Sequence, residues 1–318
     1  MSVSCLSPAA KPPAPPVSSD PYFESSGPGP IIQSGGSKQH IQQYYEASGL
    51  DYRYWSPGFN MHFGYYERGA NPFQLENMLA TMNRRVLKLL GLNSGRVLDC
   101  GCGAGATANQ LAREHQALHI TGVSLVAEQI TRAQIASQRV PQAQRPRFVN
   151  ADFTDLPFDD ASFEGAWNLE SACHAPGPGK EALVKEVYRV LKPGASWVVV
   201  DGFLKRRPKW RLPRWILGKV HDYWALETFA ERDAFVAALE AAGFEAIEVI
   251  DWSWRVAPSA LHIPRVTAHF FASEYHKNKA KKLGHHRLAN ALAPMFGLAL
   301  GLTRSVFGYY AVRAKKPS

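Results

Sequence analysis

The length, composition and charge of the chain exclude several classes of protein. Its 318 residues are 46% hydrophobic and 20% charged, a balance typical of a folded globular protein and not of a disordered one. Four cysteines in a chain of this length do not form a disulfide framework. No apolar run reaches the roughly 18 residues that span a bilayer. The first residues also lack a secretory pattern, so we expect a cytoplasmic protein.

The net charge of +9 favours an acidic ligand or an anionic membrane surface as a partner. No nucleic-acid-binding motif is recognisable, so we expect no nucleic acid partner. Cys100 and Cys102 have the wrong spacing for a zinc site, and we expect no metal bound directly by the protein.

The N-terminal part divides into two segments of different composition. Residues 1–37 are rich in proline, serine and glycine, which predicts a disordered tail. Residues 38–92 form a predicted helical lid that begins with an aromatic-rich stretch. Its aromatic residues are Tyr44, Tyr45, Tyr52, Tyr54, Trp55, Phe59, Phe63, Tyr65 and Tyr66. Because aromatic faces stabilise cations, this stretch is a candidate wall for a positively charged reacting group. The apolar spacing over residues 71–92 then predicts an amphipathic scaffold helix.

A glycine-rich loop dominates the middle of the chain. After an apolar strand, Asp99 leads into Gly101, Gly103 and Gly105, and residues 106–114 are predicted to form a helix. Such a loop lets the backbone approach a ligand closely, and the following helix directs its first N–H groups at that ligand. The spacing lacks the last glycine of the dinucleotide fingerprint and the lysine of a phosphate-binding P-loop.

Strand-like and helix-like segments alternate beyond this loop. Strands are predicted over residues 118–123, 147–150, 165–169, 196–201, 246–252 and 306–315, with helices over residues 127–139, 181–191 and 232–242. This alternation predicts an α/β fold with ligands at the carboxyl ends of its strands.

The glycine loop and two later motifs resemble those of class I S-adenosylmethionine (SAM)-dependent methyltransferases. The later motifs are Ala151-Asp152-Phe153 and the run from Leu156-Pro157-Phe158 to Ser162-Phe163. The resemblance implies a Rossmann-like sheet of seven strands with helices on both faces, and a SAM-binding core over residues 93–202. It implies SAM as cofactor and S-adenosylhomocysteine (SAH) as product. The residues that would bind the cofactor are Asp99, Gly101, Gly103, Gly105, Ser124, Gln129, Asp152, Phe153 and Asn168.

The segment Glu170-Ser171-Ala172-Cys173-His174-Ala175-Pro176 is similar to a signature of sterol 24-C-methyltransferases. Tocopherol methyltransferases and cyclopropane-fatty-acid synthases have a comparable glutamate and histidine here. Glu170 and His174 lie four residues apart around a strand end, so they are candidates for a base that removes a proton and the group that orients it, and we add Tyr45 to this catalytic set. A role outside catalysis stays open for both: Glu170 could contact only SAM, and His174 could bond only to backbone near Pro176. In the aromatic lid, the expected substrate contacts are Tyr44, Tyr54, Trp55, His62 and Phe63.

The C-terminal part, residues 203–318, is predicted to combine a substrate-cover insertion with the remaining strands. It opens with a basic, aromatic loop over residues 205–215. This loop is either a solvated surface or a site for a diphosphate or lipid headgroups, with Arg207, Trp210 and Tyr223 as substrate contacts. Mg²⁺ would accompany a diphosphate substrate. The apolar residues 288–302 either line a hydrophobic pocket or rest on a membrane.

These patterns together predict a C-methyltransferase that acts on an alkene carbon of an isoprenoid or other lipid. A prenyl diphosphate such as farnesyl or geranyl diphosphate is favoured over a sterol, with cyclisation as a coupled step. Two alternatives stay open: O- or N-methylation of a small aromatic metabolite or quinone with His174 as base, and a SAM-binding module without catalysis. Peripheral membrane contact and a homo-oligomer also stay open.

Overall fold

The fold is organised by a central β-sheet whose inner strands are buried on both faces. The computed structural model describes residues 38–277 and 283–318. The predicted tail, residues 1–37, lies outside the described residues. The strands are β1 (Gly95–Cys100), β2 (Leu118–Ser124), β3 (Arg147–Asn150), β4 (Phe163–Leu169), β5 (Leu191–Leu204), β6 (Ala230–Glu231), β7 (Glu245–Asp251) and β8 (Phe307–Lys315).

The strand order explains where a ligand can bind. Within the described residues the order is β3-β2-β1-β4-β5-β8-β7, and the short β6 pairs with the end of β5. Strands β1 to β5 are mutually parallel, whereas β8 runs antiparallel to its neighbours β5 and β7. The chain goes from β1 to β2 on one side and returns to β4 on the other, so a crevice opens above β1 and β4. The predicted Rossmann-like sheet is confirmed, with β6 as a small addition.

Helices precede, connect and follow the strands. They are α1 (Lys38–Ser48), α2 (Leu75–Leu90), α3 (Ala106–Glu114), α4 (Ala127–Ser137), α5 (Glu181–Val190), α6 (Arg211–Tyr223), α7 (Arg232–Ala241), α8 (Ser253–Ala260), α9 (Ile263–Lys277) and α10 (His285–Leu302). Short 3₁₀ helices cover Gly49–Tyr54, Gln142–Gln144 and Ala172–His174. Among the helices of the described segments, none is long and apolar enough to cross a membrane.

Two apolar layers hold helices against the two faces of the sheet. Because successive strand residues point to opposite faces, Leu98 packs in one layer and Val97 in the other. Helices α5 and α7 cover the face of Leu98, whereas α2, α3, α4 and α8 cover the face of Val97. The largest buried side chains of the inner strands divide in the same way, with Trp197 on the first face and Trp167 on the second.

The structure corrects several predicted boundaries. The scaffold helix is four residues shorter at its start and ends at Gly91, which takes the left-handed conformation with φ of 77°. Strand β5 extends over Leu191–Leu204, well beyond the predicted residues 196–201, because β8 pairs with it as far as Leu204. The basic segment is not a loop throughout. From Arg211 onward it is the helix α6, which buries Ile216 and Val220 on one side. Helices α8 and α9 had no predicted counterpart.

Candidate active site

A cavity of about 390 Å³ opens above the crevice between β1 and β4. Such a volume lies within the range of small-molecule sites. The ends of β1, β2 and β4 and the loop after β3 form its floor, and α1 crosses above it. The residues that line it come from widely separated positions: Lys38, Ile41, Tyr45, Phe59, Asn60, Met61, His62, Asp99, Gly101, Cys102, Gly103, Ala106, Thr107, Ser124, Leu125, Val126, Gln129, Asp152, Phe153, Thr154, Leu169, Glu170, Ser171, His174, Pro176 and Glu227.

The glycine loop brings bare backbone to the cavity. Gly101 has a φ of 86°, and a Cβ added there would lie 2.4 Å from the Cβ of Ser171. Glycine is therefore required for both its conformation and the close packing of two loops. Gly105 does not line the cavity. A Cβ there would lie 2.7 Å from that of Ala133, so this glycine lets α3 pack closely on α4.

Asp99 presents a buried carboxyl group to the same end of the cavity. Its Oδ2 atom has no hydrogen-bond partner, and burial raises the pKa of Asp99 to about 7. A buried carboxylate without a partner is costly, so a cationic or N–H group of a ligand would stabilise it. Asn168, predicted as a cofactor contact, instead lies beneath the floor. Its side chain donates to the Cys100 carbonyl at 2.9 Å and accepts from the Trp197 indole at 3.0 Å.

The next two strand ends supply polar groups to the cavity. At the end of β2, the Ser124 hydroxyl donates to Oε1 of Gln129 at 2.7 Å, and both residues line the cavity. After β3, Asp152 accepts from the backbone N–H of Thr154 at 2.8 Å, and Phe153 lies beside it in the wall. One side of the cavity therefore offers both hydrogen-bonding groups and an apolar ring.

Helix α1 closes the cavity through three polar contacts. The Lys38 ammonium pairs with Asp152 at 2.5 Å, Gln42 donates to the Leu125 carbonyl at 3.1 Å, and Tyr45 bonds His174. Burial alone would raise the pKa of Asp152, but the hydrogen bond from Lys38 holds it below its usual range. The lid is thus attached to both the cofactor side and the far side of the cavity.

Glu170 occupies the point where β4 ends, with a φ of 49° that residues other than glycine rarely adopt. Its Oε1 atom accepts two hydrogen bonds of 2.6 Å, one from the Phe63 backbone N–H and one from the Tyr309 hydroxyl. Burial nevertheless raises the pKa of Glu170 to about 8. Strained backbone and a carboxyl group with a strongly shifted pKa are often found together in active sites.

His174 lies four residues further along, beside the lid. Its Nε2 atom is 3.0 Å from the Tyr45 hydroxyl, and burial lowers the pKa of His174 to about 4. The imidazole is therefore neutral near pH 7. Burial also raises the pKa of Tyr45 well above its usual value, so Tyr45 remains a phenol. The arrangement holds a neutral hydrogen-bonding pair at the end of the cavity opposite Asp152.

Buried polar contacts fix the loop that carries Glu170 and His174. The Ser171 hydroxyl donates to the Cys100 carbonyl at 2.5 Å, and Asp201 accepts from the Cys173 N–H at 3.1 Å. Lys180 is fully buried and donates to the Ala175 carbonyl at 2.6 Å. Burial lowers the pKa of this lysine to about 8. Sequence reasoning missed Lys180, because a lysine before a helix usually indicates a solvated position.

Several predicted substrate contacts lie away from the cavity. The Tyr44 hydroxyl donates to Asn290 at 2.7 Å, and the Tyr54 hydroxyl donates to Glu274 at 2.9 Å. Trp55 donates to the His62 carbonyl and packs against Phe63, whose own ring also contacts Tyr309. Of the predicted lid contacts outside the catalytic set, His62 is the one that lines the cavity within the described residues. The others support the wall from behind.

The predicted contacts from the basic segment also lie elsewhere. Arg207 forms an ion pair with Glu231 at 2.7 Å, and its side chain is largely exposed. Trp210 is 79% exposed, and Tyr223 packs on Phe296. The predicted diphosphate site over residues 205–215 therefore has no contact with the cavity.

Some lining residues that sequence reasoning missed come from the loop before α2 and from the start of α1. Met61 lies against the glycine loop, where its Sδ atom would be 3.1 Å from a Cβ at Gly103. The charge of Lys38, six residues before Tyr44, is a signal that could have found it. Within the described segments, no group of three or more histidine, cysteine or acidic side chains could hold a metal ion.

Comparison with known proteins identifies the family. Residues 97–194 match the model of a family described as "Methyltransferase domain". The chain is 31% identical over 195 residues to O-methyltransferase rstn1 of Aspergillus nomiae, an alignment that covers 60% of this chain and 83% of that relative. The chain belongs to the class I SAM-dependent methyltransferases.

Two further similarities extend beyond the core of this methyltransferase. It is 29% identical over 265 residues to cycloartenol-C-24-methyltransferase of Arabidopsis thaliana, covering 78% of this chain and 75% of the relative. The crystal structure of the [4+2]-cyclase SpnF matches with a TM-score of 0.69 and 25% identity, over 88% of this chain and 97% of that one. The predicted family, fold class and enzyme class are confirmed.

The residues of the cavity fit SAM. The unpartnered Oδ2 of Asp99 matches a donor such as the cofactor's amino group, and the close approach of Gly101 leaves room for its backbone. The Ser124 and Gln129 pair suits ribose hydroxyls, and Asp152 with Phe153 suits adenine. Glu170 lines the same cavity as these residues.

Proposed function

We propose that this methyltransferase transfers a methyl group to an alkene carbon of an isoprenoid or other lipid. The observation that carries the proposal is the position of Glu170. Its carboxyl group lies at the end of β4, facing a cavity shared with the glycine loop, and two 2.6 Å hydrogen bonds fix one of its oxygens. A fixed carboxyl group beside the methyl donor is suited to take a proton from the product carbon.

The chemistry requires both a proton acceptor and stabilisation of positive charge. Bound SAM supplies an electrophilic methyl group, and its S–CH₃ bond breaks as the alkene forms the new C–C bond. The acceptor is then a tertiary cation, and Glu170 removes a proton from the adjacent carbon to restore a double bond. Burial raises the pKa of Glu170 to about 8 in the protein without ligands. A positive charge close to Glu170 lowers this pKa and favours the carboxylate form.

Aromatic side chains line the cavity that Glu170 faces. Tyr45 and Phe59 do so together with Met61, apart from Phe153 on the adenine side. The electron-rich faces of such rings attract cations, and an apolar wall accepts the hydrocarbon part of a lipid. The lining therefore supports both the cationic step and the substrate class.

The charge of the lining favours an uncharged acceptor within this class. Among the described residues of the lining, Lys38 is the one lysine or arginine, and it is paired with Asp152. A diphosphate would need several cationic partners. We therefore rank a neutral isoprenoid or sterol-like alkene above farnesyl or geranyl diphosphate, which reverses the order expected from the basic segment. Mg²⁺ is relevant for a diphosphate alone.

O-methylation is a second candidate, favoured by a specific observation. The neutral imidazole of His174 can accept a proton from a hydroxyl nucleophile, and it lies in the same cavity. The relative from Aspergillus nomiae carries the name O-methyltransferase. In this case a phenol or quinol would occupy the place of the alkene, and His174 rather than Glu170 would be essential.

The experiment is product analysis after incubation with SAM that carries a ¹³C-labelled methyl group. The acceptor panel contains sterols with a side-chain alkene, neutral prenyl lipids, farnesyl and geranyl diphosphate, and prenylated quinols. A labelled methyl on carbon, seen by NMR, supports the proposal, and a cyclised product would show the coupled step. A labelled methyl on oxygen alone contradicts it and selects the second candidate. SAH formation in each reaction measures turnover independently.

A further inference from the structure

The outer surfaces of α6 and α10 expose apolar side chains that the active site does not explain. Trp210, Leu212 and Trp215 are 79%, 65% and 53% exposed at the start of α6. On α10, Leu302 is 78% exposed. Single exposed apolar side chains are ordinary, but aromatic and aliphatic side chains grouped on one surface indicate an interaction site.

We group these side chains as the α6–α10 face, because α6 and α10 pack against each other. The Trp215 ring contacts the Phe296 ring at a centroid distance of 5.4 Å. The neighbour of Phe296, Met295, is exposed and lies seven residues before Leu302, which places both on one side of α10. The α6–α10 face is defined by Trp210, Leu212, Trp215, Met295 and Leu302.

The charge of the chain is concentrated in the same part of the sequence. Residues 205–221 contain seven lysines and arginines, and residues 275–318 contain nine. Neither range contains any of the 27 acidic residues of the chain, so all the other residues together carry a net negative charge. Arg206, Lys209, Arg211 and Arg214 are exposed around the tryptophans.

We infer that the α6–α10 face binds the surface of an anionic lipid bilayer. Tryptophan and leucine side chains enter the boundary between headgroups and acyl chains, while surrounding cations attract anionic headgroups. A surface that bound nucleic acid would use the cations but gain little from exposed leucine. The combination of charge and apolar exposure therefore favours a membrane as the partner.

The position of the face suggests a use for this binding. The inner side of α6 buries Ile216 and Val220 in a cluster with Cys173, the residue before His174. The layer of α6 and α10 thus separates the membrane-facing surface from the far end of the cavity. Delivery of a lipid acceptor from the bilayer rests on the proposed function, whereas membrane binding does not, so the two are measured separately.

The test is sedimentation of the full chain with phosphatidylcholine vesicles, with and without phosphatidylserine. We expect binding to the anionic vesicles that weakens as salt is added. In the triple variant Trp210→Ser, Leu212→Ser, Trp215→Ser, we expect binding to fall by about tenfold. The substitution Phe73→Ser, at an 83% exposed residue before α2, is the matched control and should change little. SAH affinity should match wild type in both variants, since neither touches the cavity.

Three outcomes would overturn the inference. The first is wild-type protein that does not sediment with anionic vesicles. The second is undiminished binding by the triple variant. The third is a stable dimer that the triple variant converts to monomer, without vesicle binding by the wild type. If vesicles bind but no lipid acceptor is methylated, the membrane surface stands and the proposed function fails.

Discussion

The two ends of the cavity are built in different ways. At the cofactor end, each part comes from a short run of sequence at a strand end: Asp99 with the glycine loop, Ser124 with Gln129, and Asp152 with Phe153. At the proposed acceptor end, groups that touch are 107 to 139 residues apart in sequence, as for the Phe63 N–H, Tyr45 and Tyr309 with the Glu170–His174 loop. The proposed cofactor contacts are therefore local in sequence, whereas the proposed acceptor contacts depend on how the lid and the last strand assemble.

The strongest test of this division is Glu170→Gln. The amide keeps an oxygen that can accept from Phe63 and Tyr309 but cannot take up a proton. We expect turnover to fall by roughly 10²- to 10⁴-fold, as for loss of a general base, with SAH affinity by calorimetry close to wild type. Tyr309→Phe, which retains the carboxyl group, is the control and should lose much less. If Glu170→Gln lost SAH binding by as large a factor as it lost turnover, Glu170 would instead be assigned to the cofactor end of the cavity.

Asp99→Ala examines the other end of the cavity. If its buried carboxyl group binds the cofactor's charged amine, as we propose, its removal should weaken SAH binding by about 10- to 100-fold, the range expected for a charge-assisted hydrogen bond. Asp99→Asn keeps the shape and should lose less. The measurement is titration calorimetry with SAH. Unchanged affinity in the alanine variant would exclude Asp99 as a cofactor contact.

Two neighbouring glycines of the loop, Gly101 and Gly103, differ in what an added Cβ atom would meet. In Gly101→Ala, the new Cβ would lie 2.4 Å from the Ser171 Cβ at a φ of 86°. In Gly103→Ala, it would meet the flexible end of Met61 at 3.1 Å, with a φ of 51°. We expect Gly101→Ala to lower the free energy of unfolding by about 2 kcal/mol and Gly103→Ala by less. Chemical denaturation of both variants measures the free energy of unfolding. A larger loss in Gly103→Ala than in Gly101→Ala would contradict the close packing of Gly101 against Ser171.

The difference between the two ends also explains what the sequence could predict. Asp99, Gly101 and Asp152 were identifiable because each lies in a motif only a few residues long, next to a predictable strand. Tyr44 and Tyr54 were misplaced because an aromatic stretch does not reveal which rings face inward. That choice depends on Asn290 and Glu274, more than 200 residues away. The sequence predicts a loop at the start of α6 because its charges obscure the four-residue spacing of Ile216 and Val220.

The smallest predicted effect concerns pH and again involves Glu170. Its pKa is raised from an ordinary 4.5 to about 8, so between these values the native state holds a proton that the unfolded state has released. Its contribution to stability is therefore full below about pH 4.5 and is lost as the pH rises through about 8. Burial lowers the pKa of His174 to about 4, which gives stability the opposite dependence on pH at acidic pH.

Because His174 is present in both proteins, its contribution cancels in a comparison of wild type with Glu170→Gln. We expect the free energy of unfolding of wild type, relative to the variant, to fall by at least about 1 kcal/mol between about pH 5 and about pH 8. Urea denaturation at both pH values measures the difference. A difference in free energy of unfolding that stays constant between the two pH values would mean that Glu170 is ionised throughout. Its pKa would then not be raised, and its position alone would support its role as a base.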